Sequence, residues 1–200
     1  MATTYAELKT EIADFLNRDD LTDVIPTFIK LGEAQIARDL RHRLQEKRAT
    51  ATLDEQYEAL PSDFLEARRI IVNGNVQLRP ISSEDMTKYR YDNDTAGEPK
   101  YYYITADQIE LYPTPTGTDE MSLLYYARIP ALSGVVTSNW LLDENPDVYL
   151  YASLLHAAPY LADDARLPMY IQMYQSIIAA LNGNSNREQW SGGSLVMRVK

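Results

Sequence analysis

Trp140-Leu-Leu-Asp-Glu-Asn145-Pro146-Asp-Val-Tyr-Leu-Tyr-Ala-Ser-Leu-Leu-His156-Ala-Ala-Pro159-Tyr-Leu-Ala-Asp163-Asp164-Ala-Arg-Leu-Pro-Met-Tyr170-Ile-Gln-Met-Tyr174-Gln-Ser-Ile-Ile-Ala-Ala-Leu181 is the stretch whose reading decides the fold. Asn145 is a favourable N-cap, Pro146 suits the first helical position, and Asp147 favours the positive end of the helix dipole. Leu150, Leu154, Ala157, Ala158 and Leu161 recur on one face. Pro159 is expected to kink this helix near its end, because it removes a backbone donor. Asp163 and Asp164 then turn and recap the chain, Tyr170, Tyr174, Ile177, Ile178 and Leu181 form a second stripe, and Asn182-Gly183 supplies a left-handed stop. The segment reads as an αα-hairpin, two amphipathic helices that each need a partner.

Matching helices lie at the other end of the chain. Thr4-Tyr5-Ala6-Glu7 fits a capping box, followed by Leu8, Ile12 and Phe15 at helical spacing until Asn17-Arg18-Asp19-Asp20 breaks the pattern. Thr22 or Asp23 can cap a second helix with Pro26 in its first turn, and Ile25, Phe28, Ile29, Ile36 and Leu40 form its stripe. Arg38, Arg41, Arg43, Lys47 and Arg48 gather toward its C-terminal end, where cations suit the dipole. His42, among these arginines, is expected to be solvated.

Between the helical ends the period changes. Residues 49–53 alternate weakly, residues 67–72 are rich in β-branched side chains, and Asn73-Gly74 is a strong hairpin-turn signal before residues 76–79. Ser82 and Ser83 with Glu84 and Asp85 can open a short helix to about Tyr91. Residues 100–105 and 108–112 read as a second hairpin across Ala106-Asp107, ended by Pro113 and Pro115, and residues 121–128 as a further strand. The expected fold is α+β. A four-helix body from residues 1–47 and 139–183 carries an inserted small antiparallel meander of four to six strands over residues 48–138, with a flexible tail over 184–200.

Composition bounds the function. Hydrophobic residues make up 45% and charged residues 24%, ordinary for a folded chain. No apolar run approaches the ~18–20 residues of a membrane span, and Met1 is not followed by a charged-then-apolar signal segment. With no cysteine and only His42 and His156, thiolate and His-rich metal centres are excluded, and no cofactor is expected. A net charge of −10 argues against gripping DNA through phosphates. It is compatible with simple solubility and with a surface that nucleic acid passes without sticking. Of the aromatic residues 15 are Tyr, 3 Phe and 2 Trp, which suits half-buried or partner-facing positions.

No nucleophile elbow, phosphate loop, HExxH or dinucleotide fingerprint occurs, so catalysis is not expected. Asp143-Glu144 and Asp163-Asp164 sit where helix caps are needed, and His156 at helical spacing reads as a half-buried packing residue. The tail is polar from Asn184 to Gln189, flexible at Ser191-Gly-Gly-Ser194, and apolar at Trp190 and Leu195-Val196-Met197. Trp190, Leu195, Val196, Met197 and Val199 are therefore candidate partner-binding residues, suited to docking on another chain by strand addition.

Three pieces in order carry a family resemblance. They are Leu60-Pro-Ser-Asp-Phe-Leu-Glu-Ala-Arg-Arg-Ile-Ile-Val72; Gly97-Glu-Pro-Lys-Tyr-Tyr-Tyr-Ile104 through Ile109-Glu-Leu-Tyr-Pro-Thr-Pro115; and Trp140-Leu-Leu with Pro146-Asp-Val-Tyr-Leu-Tyr-Ala152. Together, over about residues 5–182, they resemble the head-to-tail adaptor (connector) proteins of tailed bacteriophages, the group that includes tail tubular protein A. The resemblance implies a non-enzymatic virion protein of the neck or tail, assembled in the host cytoplasm without a membrane. It implies a homo-oligomeric ring, typically of twelve subunits, that joins the portal protein to a downstream tail or nozzle protein and passes DNA non-specifically through its lumen. In such adaptors the helical bodies pack side by side, the β-region faces the next tail component and the C-terminal tail reaches toward the portal. Alternative readings are another connector part (stopper or tail terminator), an acidic nucleic-acid mimic, or an acidic hydrolase using Asp163 or Asp164.

Overall fold

The capping box at Thr4 forms as the sequence dictates. The Thr4 hydroxyl accepts from the Glu7 N–H while the Glu7 carboxylate accepts from the Thr4 N–H, opening α1 (Tyr5–Leu16). Asn17 ends it in the left-handed conformation, at φ 52°. The computed structural model describes residues 2–162 and 165–190. α2 (Ile25–Asp39) starts from Val24 rather than from Thr22 or Asp23, with Pro26 in its first turn and no side-chain cap. The Thr22 hydroxyl is turned back onto the Asp19 carbonyl instead.

The chain forms two compact units, Met1–Leu44 with Ile129–Lys200, and Gln45–Arg128. In the helical unit, α4 (Trp140–Glu144), α5 (Pro146–Tyr160) and α6 (Leu167–Trp190) join α1 and α2. α5 is the central helix, packed by α1, α2, α4 and α6. Its nearly uniform apolarity follows from that, since it must bury most of its circumference. Leu8, Ile12, Ile29, Ile36, Val148 and Tyr149 form the core, each worth ~1.5–3 kcal/mol of burial. α2 approaches α5 at Gly32, where a Cβ would stand 3.1 Å from the Ala152 backbone and Cβ.

The Gln45–Arg128 unit contains β1 (Glu46–Leu53), β2 (Tyr57–Ala59), β3 (Phe64–Val72), β4 (Val76–Gln77), β5 (Arg79–Pro80), α3 (Ser83–Asp92), β6 (Tyr101–Thr105), β7 (Gln108–Tyr112) and β8 (Asp119–Ala127). One sheet runs β1-β8-β3-β4 and the other β2-β7-β6-β5. The Asn73-Gly74 turn has φ of 51° and 72°, as a tight hairpin needs. Leu53, Ile70, Val72, Ile109, Leu111 and Leu123 belong to one core shared by both sheets.

The expected four-helix body with a small antiparallel meander and a flexible tail is thereby corrected. Among the described residues there are six α-helices and two sheets of four strands. Three physical causes account for it. The pairing is non-local, with β8 lying between β1 and β3 and the β5–β6 pair parallel, which no turn signal announces. Asn139, not Asn145, provides the side-chain cap, and it nucleates the separate helix α4. Finally, α6 continues through Asn182-Gly183 to Trp190.

Candidate partner-binding surface

The polar run after Leu181 works as a clasp rather than as a helix stop. The Arg41 N–H donates to Asn182 Oδ1 at 3.0 Å, and Asn182 Nδ2 donates to the Asp39 carbonyl at 3.0 Å. One turn on, Ser185 Oγ accepts from the Arg43 N–H at 2.8 Å. Asn182 and Ser185 thus satisfy backbone groups where α2 ends, as a cap would, but from a neighbouring helix. Tyr174 adds its hydroxyl to Asp39 Oδ2 at 3.0 Å, and burial, then the Asp39 carboxylate, pushes that phenol up from its ordinary value. Arg41 turns back onto the Ala37 and Leu40 carbonyls at 3.0 and 2.8 Å, the helix-end role its place in the sequence suggests.

His42 departs from expectation. It is 7% exposed and stacks on Trp140, with ring centroids 5.3 Å apart and planes inclined by 24°. The apolar ring opposite outweighs the arginines beside it in sequence. Together these contacts fix α6 at Asn182 and Ser185 against the end of α2. Trp190 is the last residue of α6. Leu195, Val196, Met197 and Val199 lie outside the described residues, as do Asp163 and Asp164.

Of the acidic pair that is described, Asp143 serves structure. Asp143 accepts a hydrogen bond from Ser138 Oγ within the first turn of α4. Asn139, which sequence reasoning passed over, is the hub of this corner. Its Oδ1 accepts from the Leu142 N–H, and its Nδ2 donates to the Pro130 carbonyl and the Tyr149 hydroxyl at 2.9 and 2.8 Å. Its signal was an Asn directly before an apolar Trp-Leu-Leu triplet. Glu33 accepts from the Leu132 N–H at 2.7 Å, and burial raises its carboxyl above the ordinary range. His156 is half-buried with Nε2 lacking a hydrogen-bond partner, and burial, then the nearby Arg38 charge, lowers its pKa. Its neighbours include the Leu31 backbone, with which it shares a hydrogen bond, and the Arg38 charge. No group of three or more His, Asp and Glu suited to a metal occurs among the described residues.

Several large apolar side chains of the helical unit are exposed. Met169 and Met173 on α6 are each 45% exposed, one turn apart, and Leu31 on α2 is 45% exposed. Methionine suits adaptable contacts, because its unbranched side chain repacks at little cost. On the strand-bearing unit, Tyr57 is half exposed and Tyr91 90% exposed, while Tyr89 is held between the Tyr101 and Tyr112 rings at 5.3 and 5.6 Å. No helix among the described residues is long and apolar enough to cross a membrane.

Comparison with curated proteins returns no match. The SU10 adaptor protein family matches residues 3–198, nearly the full length and across both units. That agrees with the order of sequence pieces that resembles head-to-tail adaptors. The chain belongs to the SU10 adaptor protein family, a family of bacteriophage structural adaptors.

Proposed function

We propose that this virion adaptor forms a ring beneath the portal vertex, joins the portal to the next tail component, and lets DNA pass through its lumen. The observation that carries the reading is the family match over residues 3–198. The exposed apolar residues support it. A closed ring uses a heterologous contact between two different faces of each subunit. Leu31 on α2 and Met169 with Met173 on α6, helices that both pack on α5, offer two such faces. A twelvefold ring is the stoichiometry the resemblance implies. The C-terminal segment, with Trp190, Leu195, Val196, Met197 and Val199, attaches the subunit to a neighbouring chain. The strand-bearing unit presents Tyr57 and Tyr91 to the tail side. The net charge of −10 suits a lumen that must not retain DNA.

Mass measurement and negative-stain imaging, with and without portal protein, test this. Rings alone or rings on portal are expected. A chain that stays monomeric and ignores portal under both conditions removes the reading. Truncation after Trp190 is expected to leave helical content intact and to weaken attachment, and undiminished attachment removes the docking role of the C-terminal segment.

A further inference from the structure

A register shift in β3 sets two successive arginines on one face of the β1-β8-β3-β4 sheet. Ala67 pairs with Tyr125 and Arg69 with Leu124, so Arg68 is the extra residue of a bulge. Its guanidinium lies over the Tyr126 ring, 5.2 Å from the centroid, and pairs with Glu46 at 3.4 Å. Tyr126 and Leu124, two apart on β8, point to the same face. Arg48 of β1 and Arg69 of β3 are both cross-strand partners of Leu124. Arg48, Leu124 and Arg69 thus form one row across three strands, with the arginine Cα atoms two strand spacings apart, roughly 9–10 Å.

Arg68 is engaged, whereas its two neighbours on this face are not. Arg48 and Arg69 are exposed, and neither has an acidic partner among the described residues. Leu124 between them is half-buried. Two guanidinium forks on either side of an apolar side chain can each take a carboxylate bidentately, which lysine cannot do.

The matching carboxylates lie in the same unit but out of reach. Asp54 and Glu55 follow β1 directly, and Glu58 lies in β2. Among the described residues no cation pairs with any of the three. They crowd one another instead. Burial, then the Asp54 and Glu55 carboxylates, raises the Glu58 carboxyl above its ordinary range, against the Asp54 N–H that it accepts. From Arg48 to the end of β1 at Leu53 the chain runs about 16–17 Å. One copy therefore does not bring its own arginine row onto these carboxylates.

We propose that the Arg48–Leu124–Arg69 row of one copy binds the Asp54-Glu55 segment of a second copy. This contact rests on the ring reading and adds to it a named junction through the strand-bearing unit. A closed ring needs two different faces of one chain that fit each other, and a basic row with an acidic turn is such a pair. Each side gains what it lacks, because the arginines receive carboxylates and the crowded carboxylates receive cations. A chain of net charge −10 repels its own copies, so a contact of opposite sign also fixes which faces meet.

Charge reversal in the full chain tests this. Arg48→Glu with Arg69→Glu is expected to weaken self-association, free or on portal, by about a hundredfold or more, because like charges then meet. Asp54→Lys with Glu55→Lys is expected to do the same. All four side chains are exposed, and unchanged circular dichroism verifies each fold. An equimolar mixture of the two variants is expected to associate again, since each offers what the other has lost. Parental association of either variant, or a mixture no better than its components, overturns the proposal.

Carbodiimide coupling, which joins a carboxylate directly to an amine, gives a readout that needs no ring. Arg48→Lys with Arg69→Lys, as a mixture of isotope-labelled and unlabelled chains, is expected to yield hybrid cross-links from position 48 or 69 to Asp54 or Glu55. Rings without these cross-links, or cross-links confined to single copies, remove the contact and leave the ring reading standing. Hybrid cross-links in a chain that forms no ring and ignores portal keep the contact and remove that reading.

Discussion

Asn182 caps a helix to which it does not belong: its side chain takes the Arg41 N–H and gives its own amide to the Asp39 carbonyl, both at 3.0 Å. Replacement by alanine separates the two roles this residue type can play. Alanine favours helix by about 0.5 kcal/mol over asparagine, so a chain in which Asn182 merely weakens α6 gains stability. Loss of the clasp leaves two backbone groups without their partner, at about 1–3 kcal/mol. Asn182→Ala is expected to destabilise by about 1–2 kcal/mol in urea unfolding, and a stabilised variant contradicts the clasp.

Gly32 is fixed by proximity to α5. A Cβ there meets the Ala152 carbonyl carbon at 3.1 Å and the Ser153 nitrogen at 3.2 Å, and backbone atoms cannot step aside as a side chain does. Gly32→Val is expected to cost about 1–3 kcal/mol, seen as a lower thermal midpoint. Its helical circular dichroism at low temperature stays unchanged.

Arg90 joins α3 to β7. Its Nε donates to Glu110 Oε1 at 2.8 Å and its terminal nitrogen to the Leu111 carbonyl at 2.6 Å, with both partners of the ion pair largely shielded from water. Arg90→Met strands Glu110, which then keeps only the Gln56 amide at 2.9 Å. The expected loss is about 2–3 kcal/mol, and Glu110→Gln in the same chain recovers part of it. A double-mutant cycle with no coupling between the two positions refutes this.

His156 gives the native state an acid-sensitive contribution. Burial, then the Arg38 charge, holds its pKa below the ordinary value near 6.5. The unfolded chain therefore binds the proton more readily, and stability is lost as the pH falls from the ordinary value through the native one. Unfolding free energy is expected to decline as the pH is lowered through and below the ordinary value near 6.5, with a shallower decline in His156→Gln. Identical slopes for the two proteins count against it.

Local chemistry was legible where a residue and its partner lie within one turn. The Thr4–Glu7 box, the Ser82 cap, the Asn73-Gly74 turn and the stripe of Tyr170, Tyr174 and Ile178 all stand in the structure as their spacing implies. Long-range satisfaction was not legible. Asn182-Gly183 carries a stop signal, but the partner that overrides it lies at Asp39 and Arg41, more than a hundred residues away. His42 reads as solvated among arginines until Trp140 arrives to cover it. The sheets hide for a similar reason, since alternation shows which face of β8 is buried but not that β1 and β3 flank it. The change of partner from β3 at Leu78 to the β6 side at Arg79 is likewise encoded by no local pattern.

The pairing of Glu46 with Tyr126 has a topological consequence. The first and last strands of the strand-bearing unit, β1 and β8, are thus neighbours, and its two ends lie close together. To the helical unit, that whole unit is therefore a hairpin loop with a narrow base. Loop-closure entropy grows only logarithmically with length, so the insert costs the helices little more than a turn does. A short turn spliced between Leu44 and Ile129 is the natural scar for excising it, and the same junction could carry an unrelated module in its place.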